Sequence, residues 1–82
     1  MDRVELAEEV RALLAQILKI KTSEIKEESG LQNDLGLDSV DFWDAMAGFR
    51  KKFKISVIES EVVDLKTVED LIDLLEKKKS NK

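Results

Sequence analysis

Residues 33–41, which read Asn-Asp-Leu-Gly-Leu-Asp-Ser-Val-Asp, hold the side chains of this chain that could do chemistry. Ser39 stands between acids, where a turn containing Gly36 leads into an amphipathic segment. Asp38 is a strong N-cap residue, because its side-chain oxygen can accept a free backbone N–H at a helix start. Asp41 adds a carboxylate to the first turn, where the helix dipole favours negative charge. The pattern therefore places the Ser39 hydroxyl at the mouth of a helix.

The composition limits what this serine can do. The chain has no histidine and no cysteine, so the commonest general base, the commonest metal ligand and thiol catalysis are all excluded. A serine hydrolase would also need a Gly-x-Ser-x-Gly elbow, which is missing here. A calcium site made by Asn33, Asp34, Asp38 and Asp41 would lack the spacing and the terminal Glu of an EF-hand loop. We predict neither catalytic residues nor a metal site.

The apolar pattern predicts an all-α domain, a four-helix bundle that uses residues 1–82 as one unit. The first helix is predicted over residues 2–19, the second from Ser39 to about Phe53, and a short third over 59–64. A capping box at 67–70 opens the fourth, and residues 77–82 should fray. The long loop between the first two helices should contain one helical turn at 22–25. Its isolated apolar residues are predicted to be anchors: Ile25, Leu31, Leu35 and Leu37.

The predicted second helix has two apolar stripes. The first has the spacing of a core stripe and comprises Phe42, Ala45, Met46, Phe49 and Phe53. The second, rotated away from it, comprises Val40, Trp43 and Ala47, with Asp44, Arg50 and Lys51 beside it. A tryptophan among charges on the outer side of a helix is typical of a partner-binding surface. The alternative is that Trp43 packs under the long loop.

The stretch Asp34–Val40, Asp-Leu-Gly-Leu-Asp-Ser-Val, resembles the modification site of acyl carrier proteins. The resemblance covers nearly the whole chain at that family's spacing and continues through Phe53, Ile55, Val57 and residues 65–68. It implies a bundle of the acyl-carrier type in which Ser39 bears a covalent 4′-phosphopantetheine arm. The acyl cargo would then travel as a thioester on this arm.

The resemblance also implies an acyl pocket, a partner surface and a set of partners. The acyl pocket would be bounded by Phe42, Met46, Phe49, Val57, Val62, Leu65 and Val68. The partner surface along the second helix would comprise Asp38, Val40, Asp41, Trp43, Asp44, Ala47, Arg50 and Lys51. The implied partners are a phosphopantetheinyl transferase and the enzymes that load and transfer acyl groups.

The chain departs from the carriers of bacterial fatty acid synthesis at several positions. Those carriers usually have acids where Arg50, Lys51 and Lys52 stand, a larger aliphatic residue at Ala45 and a proline at Ile58. Three bases would repel a partner built with matching arginines and lysines. We therefore predict a specialised pathway of the fatty acid, lipid or polyketide type rather than housekeeping fatty acid synthesis.

Charge sets further limits on the partners. The net charge is −4: residues 1–46 hold 5 basic and 11 acidic side chains (−6), and residues 47–82 hold 9 and 7 (+2). An acidic domain is poorly suited to nucleic acid. No apolar run is long enough for a membrane span, so we predict no stable membrane insertion and expect a cytoplasmic monomer.

Two alternatives from the sequence stay open. An aminoacyl or peptidyl carrier would share the arm, although Gly36-Leu37-Asp38-Ser39 fits the acyl type better. A carrier-like helical interaction module that is never modified would keep the bundle and bind partners through Val40, Trp43 and Arg50. In that module Ser39 is a bystander in a well-capped helix.

Overall fold

Four helices and one 3₁₀ turn form the part of the chain that the computed structural model describes, residues 2–80. Helix α1 spans Arg3–Leu18 and is followed by the 3₁₀ turn Thr22–Glu24. Helix α2 spans Ser39–Phe53, α3 spans Glu59–Val62 and α4 spans Val68–Ser80. The structure confirms the predicted all-α bundle with a short third helix and a long loop before α2.

The ends of α1 and α2 follow from local capping. Asp2 is the N-cap of α1, and its side chain accepts a hydrogen bond from the backbone N–H of Glu5 at 2.9 Å. The C-cap residues are Lys19 for α1 and Lys54 for α2, both in the left-handed conformation, with φ of 59° and 55°. A left-handed residue at this place satisfies an orphan carbonyl of the last turn and turns the chain away from the helix axis.

The core is built on the predicted apolar stripe of α2. Ala45, Met46, Phe49 and Phe53 are buried, while Phe42 is half-buried. The rings of Phe49 and Phe53 stack with their centroids 6.2 Å apart. The remaining buried residues come from α1, the long loop and α4, and include Val10, Leu14, Ile25, Leu71, Ile72 and Leu75.

Gly48 lets α1 approach α2 closely. A Cβ atom at this position would lie 2.8 Å from Cδ2 of Leu13, which is closer than real Cβ contacts allow. A Cβ would therefore require the end of the flexible Leu13 side chain to shift, and the glycine itself costs roughly 1 kcal/mol relative to alanine in a helix interior.

The long loop is held down by the predicted anchors and by backbone hydrogen bonds. Ile25, Leu31 and Leu37 are buried and Leu35 is half-buried, which confirms their role. The loop backbone also pairs with the start of α4. Leu31 N donates to Lys66 O at 2.8 Å, Val68 N to Ser29 O at 3.0 Å and Glu69 N to Glu27 O at 2.8 Å.

The tail differs from the prediction of fraying from residue 77. Helix α4 continues to Ser80, and residues 81 and 82 lie outside the described residues. Two side-chain contacts explain the extra turn. Lys78 Nζ lies 2.5 Å from Glu61 Oε2, and Lys79 Nζ lies 5.3 Å from the centroid of the Phe53 ring. These contacts tie the last turn of α4 to α3 and α2.

Asp70 fixes the start of α4. Its carboxylate accepts hydrogen bonds from the backbone N–H of Lys66 at 3.0 Å and of Thr67 at 3.1 Å. The Thr67 hydroxyl accepts one in return from the N–H of Asp70 at 3.1 Å, so the predicted capping box is confirmed. The backbone hydrogen bonds from Lys66 and then Thr67 lower the pKa of the Asp70 carboxyl below its ordinary value of 3.8.

We expect this lowered pKa to make stability depend on pH in the acid range. Because the folded pKa lies below the unfolded one, the stabilisation is fully present above about pH 4 and is lost as the pH falls through the folded value. Urea melts at neutral and acid pH should show a smaller acid loss in Asp70→Asn than in the parent. Asp64→Asn, which removes an exposed carboxylate that makes none of these bonds, is the control. Equal acid losses in the parent and Asp70→Asn would contradict the assignment.

Candidate functional site

Ser39 is the first residue of α2 and is exposed. Asp38 precedes it with extended backbone, and its Oδ1 accepts the N–H of Asp41 at 2.8 Å, as the sequence predicted. The N–H groups of Ser39 and Val40 find no backbone or side-chain acceptor within residues 2–80. The serine hydroxyl thus stands beside free donors at the positive end of the α2 dipole.

A tight turn at Gly36 precedes Asp38 and Ser39 and places them at the start of α2. Gly36 has φ of +67°, a conformation that glycine adopts with little strain. Its N–H donates to Gln32 O at 3.1 Å, and the N–H of the buried Leu37 donates to Leu31 O at 2.9 Å. The backbone N–H of Leu31 in turn donates a hydrogen bond to Lys66 O. The turn before Ser39 is therefore connected by backbone hydrogen bonds to the segment that leads into α4.

The carboxylates near the serine act as backbone acceptors. Asp34 Oδ2 accepts the N–H of Gly30 at 2.6 Å, and Asp38 caps α2 as described above. Within the described residues, no group of three or more carboxylates is placed to hold a metal ion.

An open cleft of about 340 Å³ lies beside Ser39, between α2, the long loop and α3. Its apolar walls comprise Leu31, Leu37, Phe42, Trp43, Val62, Val63 and Leu65, and its polar walls comprise Gln32, Asp38, Ser39 and Glu59. The α3 wall is fixed by Glu61, which accepts hydrogen bonds from Lys78 Nζ at 2.5 Å and Ile58 N at 3.0 Å. These two interactions, that with Lys78 first, lower the pKa of Glu61.

The cleft contains some of the residues predicted for an acyl pocket. Phe42, Val62 and Leu65 line it. The others, Met46, Phe49, Val57 and Val68, are buried in the packed core and do not line the cleft. The reason is depth: their side chains fill the space between the helices, so the cleft beside Ser39 does not extend to them.

Four apolar walls of this cleft, and the polar walls Gln32 and Glu59, were not predicted from the sequence to belong to the pocket. Leu31 and Leu37 were recognised as loop anchors but not as neighbours of Ser39, although they flank the turn that leads to it. Trp43 was assigned to a separate face, and Val63 was not assigned a role. The short spacing of Leu31 and Leu37 from Ser39 was the available signal for the first two.

Trp43 is 40% exposed, so its side chain is accessible, as expected for the outer side of the predicted helix. Its ring meets that of Phe42 edge to face, with the centroids 5.4 Å apart. Phe42 packs against the core, and both Phe42 and Trp43 line the cleft. Trp43 therefore belongs both to the outer stripe of α2 and to the cleft wall. The two stripes of α2 therefore meet beside Ser39 rather than lying wholly apart.

The other residues of the predicted partner surface are mostly accessible. Asp41 is half-buried, and the exposed members are Asp38, Val40, Asp44, Ala47, Arg50 and Lys51. Lys52 differs from its two neighbours, because its Nζ pairs with Glu9 Oε1 at 3.2 Å. Arg50 and Lys51 form no ion pair within residues 2–80, so their charges are available to another molecule.

None of the helices in the described part of the chain has the length and apolar character needed to cross a membrane.

Comparison with known proteins identifies the family. Residues 8–75 match the family model described as a phosphopantetheine attachment site. The acyl carrier protein of Porphyromonas gingivalis is 37% identical over 73 residues, which are 89% of this chain and 94% of that protein. The acyl carrier protein of Thermotoga maritima is 32% identical over 77 residues, which are 94% of this chain and 95% of that protein.

A solved structure supports the fold. The apo doublet acyl carrier protein from prodigiosin biosynthesis superimposes with a TM-score of 0.77 at 24% identity over 94% of this chain. This chain spans 38% of that doublet protein.

The functional assignment depends on the family match and the curated relatives. They show that this chain belongs to the acyl carrier protein family, so it is a carrier rather than an enzyme, and its cofactor is 4′-phosphopantetheine.

Proposed function

We propose that Ser39 carries the arm and that the protein serves a specialised fatty acid, lipid or polyketide-type pathway. One observation supports this assignment above the others: Ser39 is exposed at the capped start of α2, directly beside an open cleft with apolar walls. A phosphopantetheinyl transferase and acyl-handling enzymes are the partners that the family implies.

The surroundings of Ser39 fit a phosphopantetheine group. The free N–H groups of Ser39 and Val40, at the positive end of the α2 dipole, suit a phosphodiester. Because Ser39 is exposed, its hydroxyl is accessible to a transferase. When bound, the group supplies a thiol that holds the acyl cargo as a thioester.

The cleft is the proposed resting place for an apolar cargo. Phe42, Trp43, Val62 and Leu65 offer apolar contact next to the attachment point. Burial of an alkyl chain there stabilises the loaded form by about 0.8 kcal/mol per methylene. The deeper members of the predicted pocket, such as Met46 and Phe49, would line it only if the core opens.

The proposed partner surface is formed by the exposed residues of α2 that follow Ser39. Val40, 69% exposed, and Trp43 supply apolar contact, and Arg50 and Lys51 supply positive charge. Tryptophan and arginine are enriched among residues that dominate binding energy. The basic end of α2 would select against enzymes built to read an acidic carrier.

Charge reversal tests this selection. Arg50→Glu with Lys51→Glu changes the net charge from −4 to −8, because each reversal removes two positive units. Lys52 is left unchanged because it pairs with Glu9. Processing by enzymes that normally read acidic carriers should improve by roughly tenfold at low salt, mainly through the association rate. The gain should shrink as salt screens the charges.

A matched variant controls for net charge. Lys21→Glu with Lys26→Glu also gives −8, but alters two exposed residues of the long loop. We expect it to be processed like the parent. If both double variants improve equally, or if neither does, the specialisation inferred from α2 is wrong.

The carrier role is tested by incubation with a broad-specificity phosphopantetheinyl transferase and coenzyme A, followed by mass spectrometry of the intact protein. A gain of one phosphopantetheine group is expected. An unchanged mass with an active transferase would favour the unmodified interaction module instead.

The expectation from the sequence that the protein is a cytoplasmic monomer stays a prediction.

A further inference from the structure

A second pocket adjoins the cleft beside Ser39. It has a volume of about 290 Å³ and is lined by Gln32, Asn33, Leu65 and Lys66. Gln32 and Leu65 also line the first cleft, so the two depressions share a wall. Three of the four lining side chains carry hydrogen-bond donors, whereas the first cleft combines a row of apolar side chains with the carboxylates of Asp38 and Glu59.

The charges along the two depressions differ in sign. Asp38 and Glu59 stand in the first cleft, at the end where Ser39 lies. Lys66 stands in the second pocket and forms no ion pair within the described part of the chain. Of the two depressions, the second is the one whose lining includes a cation, so it is the better place for the charged end of a cargo.

Hydrogen bonds hold the backbone of Lys66 in place, so the base of its charged side chain has a defined position. Its N–H donates to Asp70 Oδ2 at 3.0 Å, and its carbonyl accepts the N–H of Leu31 at 2.8 Å. The side chain is exposed. The Asp70 carboxylate is engaged with the two backbone N–H groups of Lys66 and Thr67.

The packed interior bears on which cargo could use this pocket. The largest side chains of the core, among them Phe49, Met46 and Leu75, are essentially fully buried. A charged group cannot enter such an interior without a large desolvation penalty. A cargo that ends in a charge must therefore lie along the surface, where the second pocket offers the complementary sign.

We propose that the pocket formed by Gln32, Asn33 and Lys66 holds the terminal carboxylate of a short dicarboxylic acyl cargo. The ammonium of Lys66 supplies the charge, and the two side-chain amides supply hydrogen-bond donors. This inference rests on the proposed function, because the cargo reaches the pocket from an arm on Ser39.

Two cargoes of equal length test the proposal. The transferase can load the intact protein from glutaryl-coenzyme A or from pentanoyl-coenzyme A, which differ in having a carboxylate or a methyl group at the end. Mass spectrometry confirms that each form is loaded. Amide NMR spectra of the two forms should then differ at Gln32, Asn33 and Lys66, and the difference should shrink in high salt.

Lys66→Gln should reduce the shift difference between the glutaryl and pentanoyl forms, since an exposed ion pair corresponds to a change of roughly two- to fivefold in the docked population. Lys26→Gln removes a positive charge from an exposed residue outside the pocket and should leave the difference intact. Loaded forms with the same shifts at Gln32, Asn33 and Lys66, or equal effects of the two substitutions, would overturn this inference alone. A failure of both cargoes to load would overturn the proposed function and, with it, this inference.

Discussion

Ser39→Ala is expected to abolish phosphopantetheine attachment while leaving the fold intact. The substitution removes the exposed oxygen to which the arm would be joined. It changes neither the Asp38 cap nor any buried contact, because Ser39 is exposed and Asp38 bonds to Asp41. Alanine is also a good helix former, so α2 should keep its stability. Intact mass after treatment with the transferase and coenzyme A should show no gain, and circular dichroism should match that of the parent.

A second serine provides the matched control. Ser60 is also exposed and lies near the start of a helix, but it belongs to the single turn of α3 and follows no aspartate cap. Ser60→Ala should gain the same mass as the parent. A mass gain that survives Ser39→Ala would show that the arm is attached elsewhere.

Phe49→Ala is expected to cost about 3–5 kcal/mol of the free energy of unfolding. Phe49 is fully buried at the centre of the core and stacks on Phe53. Removal of its ring leaves a cavity between helices that are held by close packing. Native domains are stable by only about 5–15 kcal/mol, so this loss is a large part of the total. Urea melts measure it, and Phe49→Leu provides a milder variant if the alanine form does not fold.

Trp43→Ala is the comparison that separates a core residue from a surface one. Trp43 keeps 40% of its area exposed and loses mainly its edge contact with Phe42. Its cost should lie well below about 3 kcal/mol. Acrylamide should quench the fluorescence of this tryptophan in the parent, and the alanine form should be loaded less well by a cognate enzyme. A Trp43→Ala loss equal to that of Phe49→Ala would place Trp43 in the core.

Much of the bundle could be predicted because its signals are local. The Asp38 cap, the capping box at Thr67 and Asp70, and the apolar spacing of α2 each depend on residues within a few positions of one another. The structures that such local patterns favour do not depend on how distant parts of the chain pack. The helix bounds accordingly lie close to those expected, and three of the four anchors of the long loop are buried while Leu35 is half-buried.

The candidate site was harder to predict because its walls come from distant parts of the chain. Leu31 is near Ser39 in sequence, but its backbone N–H is held by Lys66 O, a partner more than thirty positions away that the sequence does not indicate. Helical geometry placed Trp43 away from Phe49 but could not show that its ring turns toward Phe42. The pairing of Lys52 with Glu9, which separates it from Arg50 and Lys51, also depends on how α1 packs on α2.

The backbone hydrogen bonds between the long loop and the start of α4 hold the turn before Ser39 more tightly than α3 is held. Ser39 follows a turn that is fastened through Leu31 to Lys66, whereas α3 is a single turn held by the buried Val62 and the Glu61–Lys78 pair. One turn of helix has little stability of its own. We therefore expect the α3 wall of the cleft to adjust to cargoes of different size more readily than the turn before Ser39, the proposed attachment point.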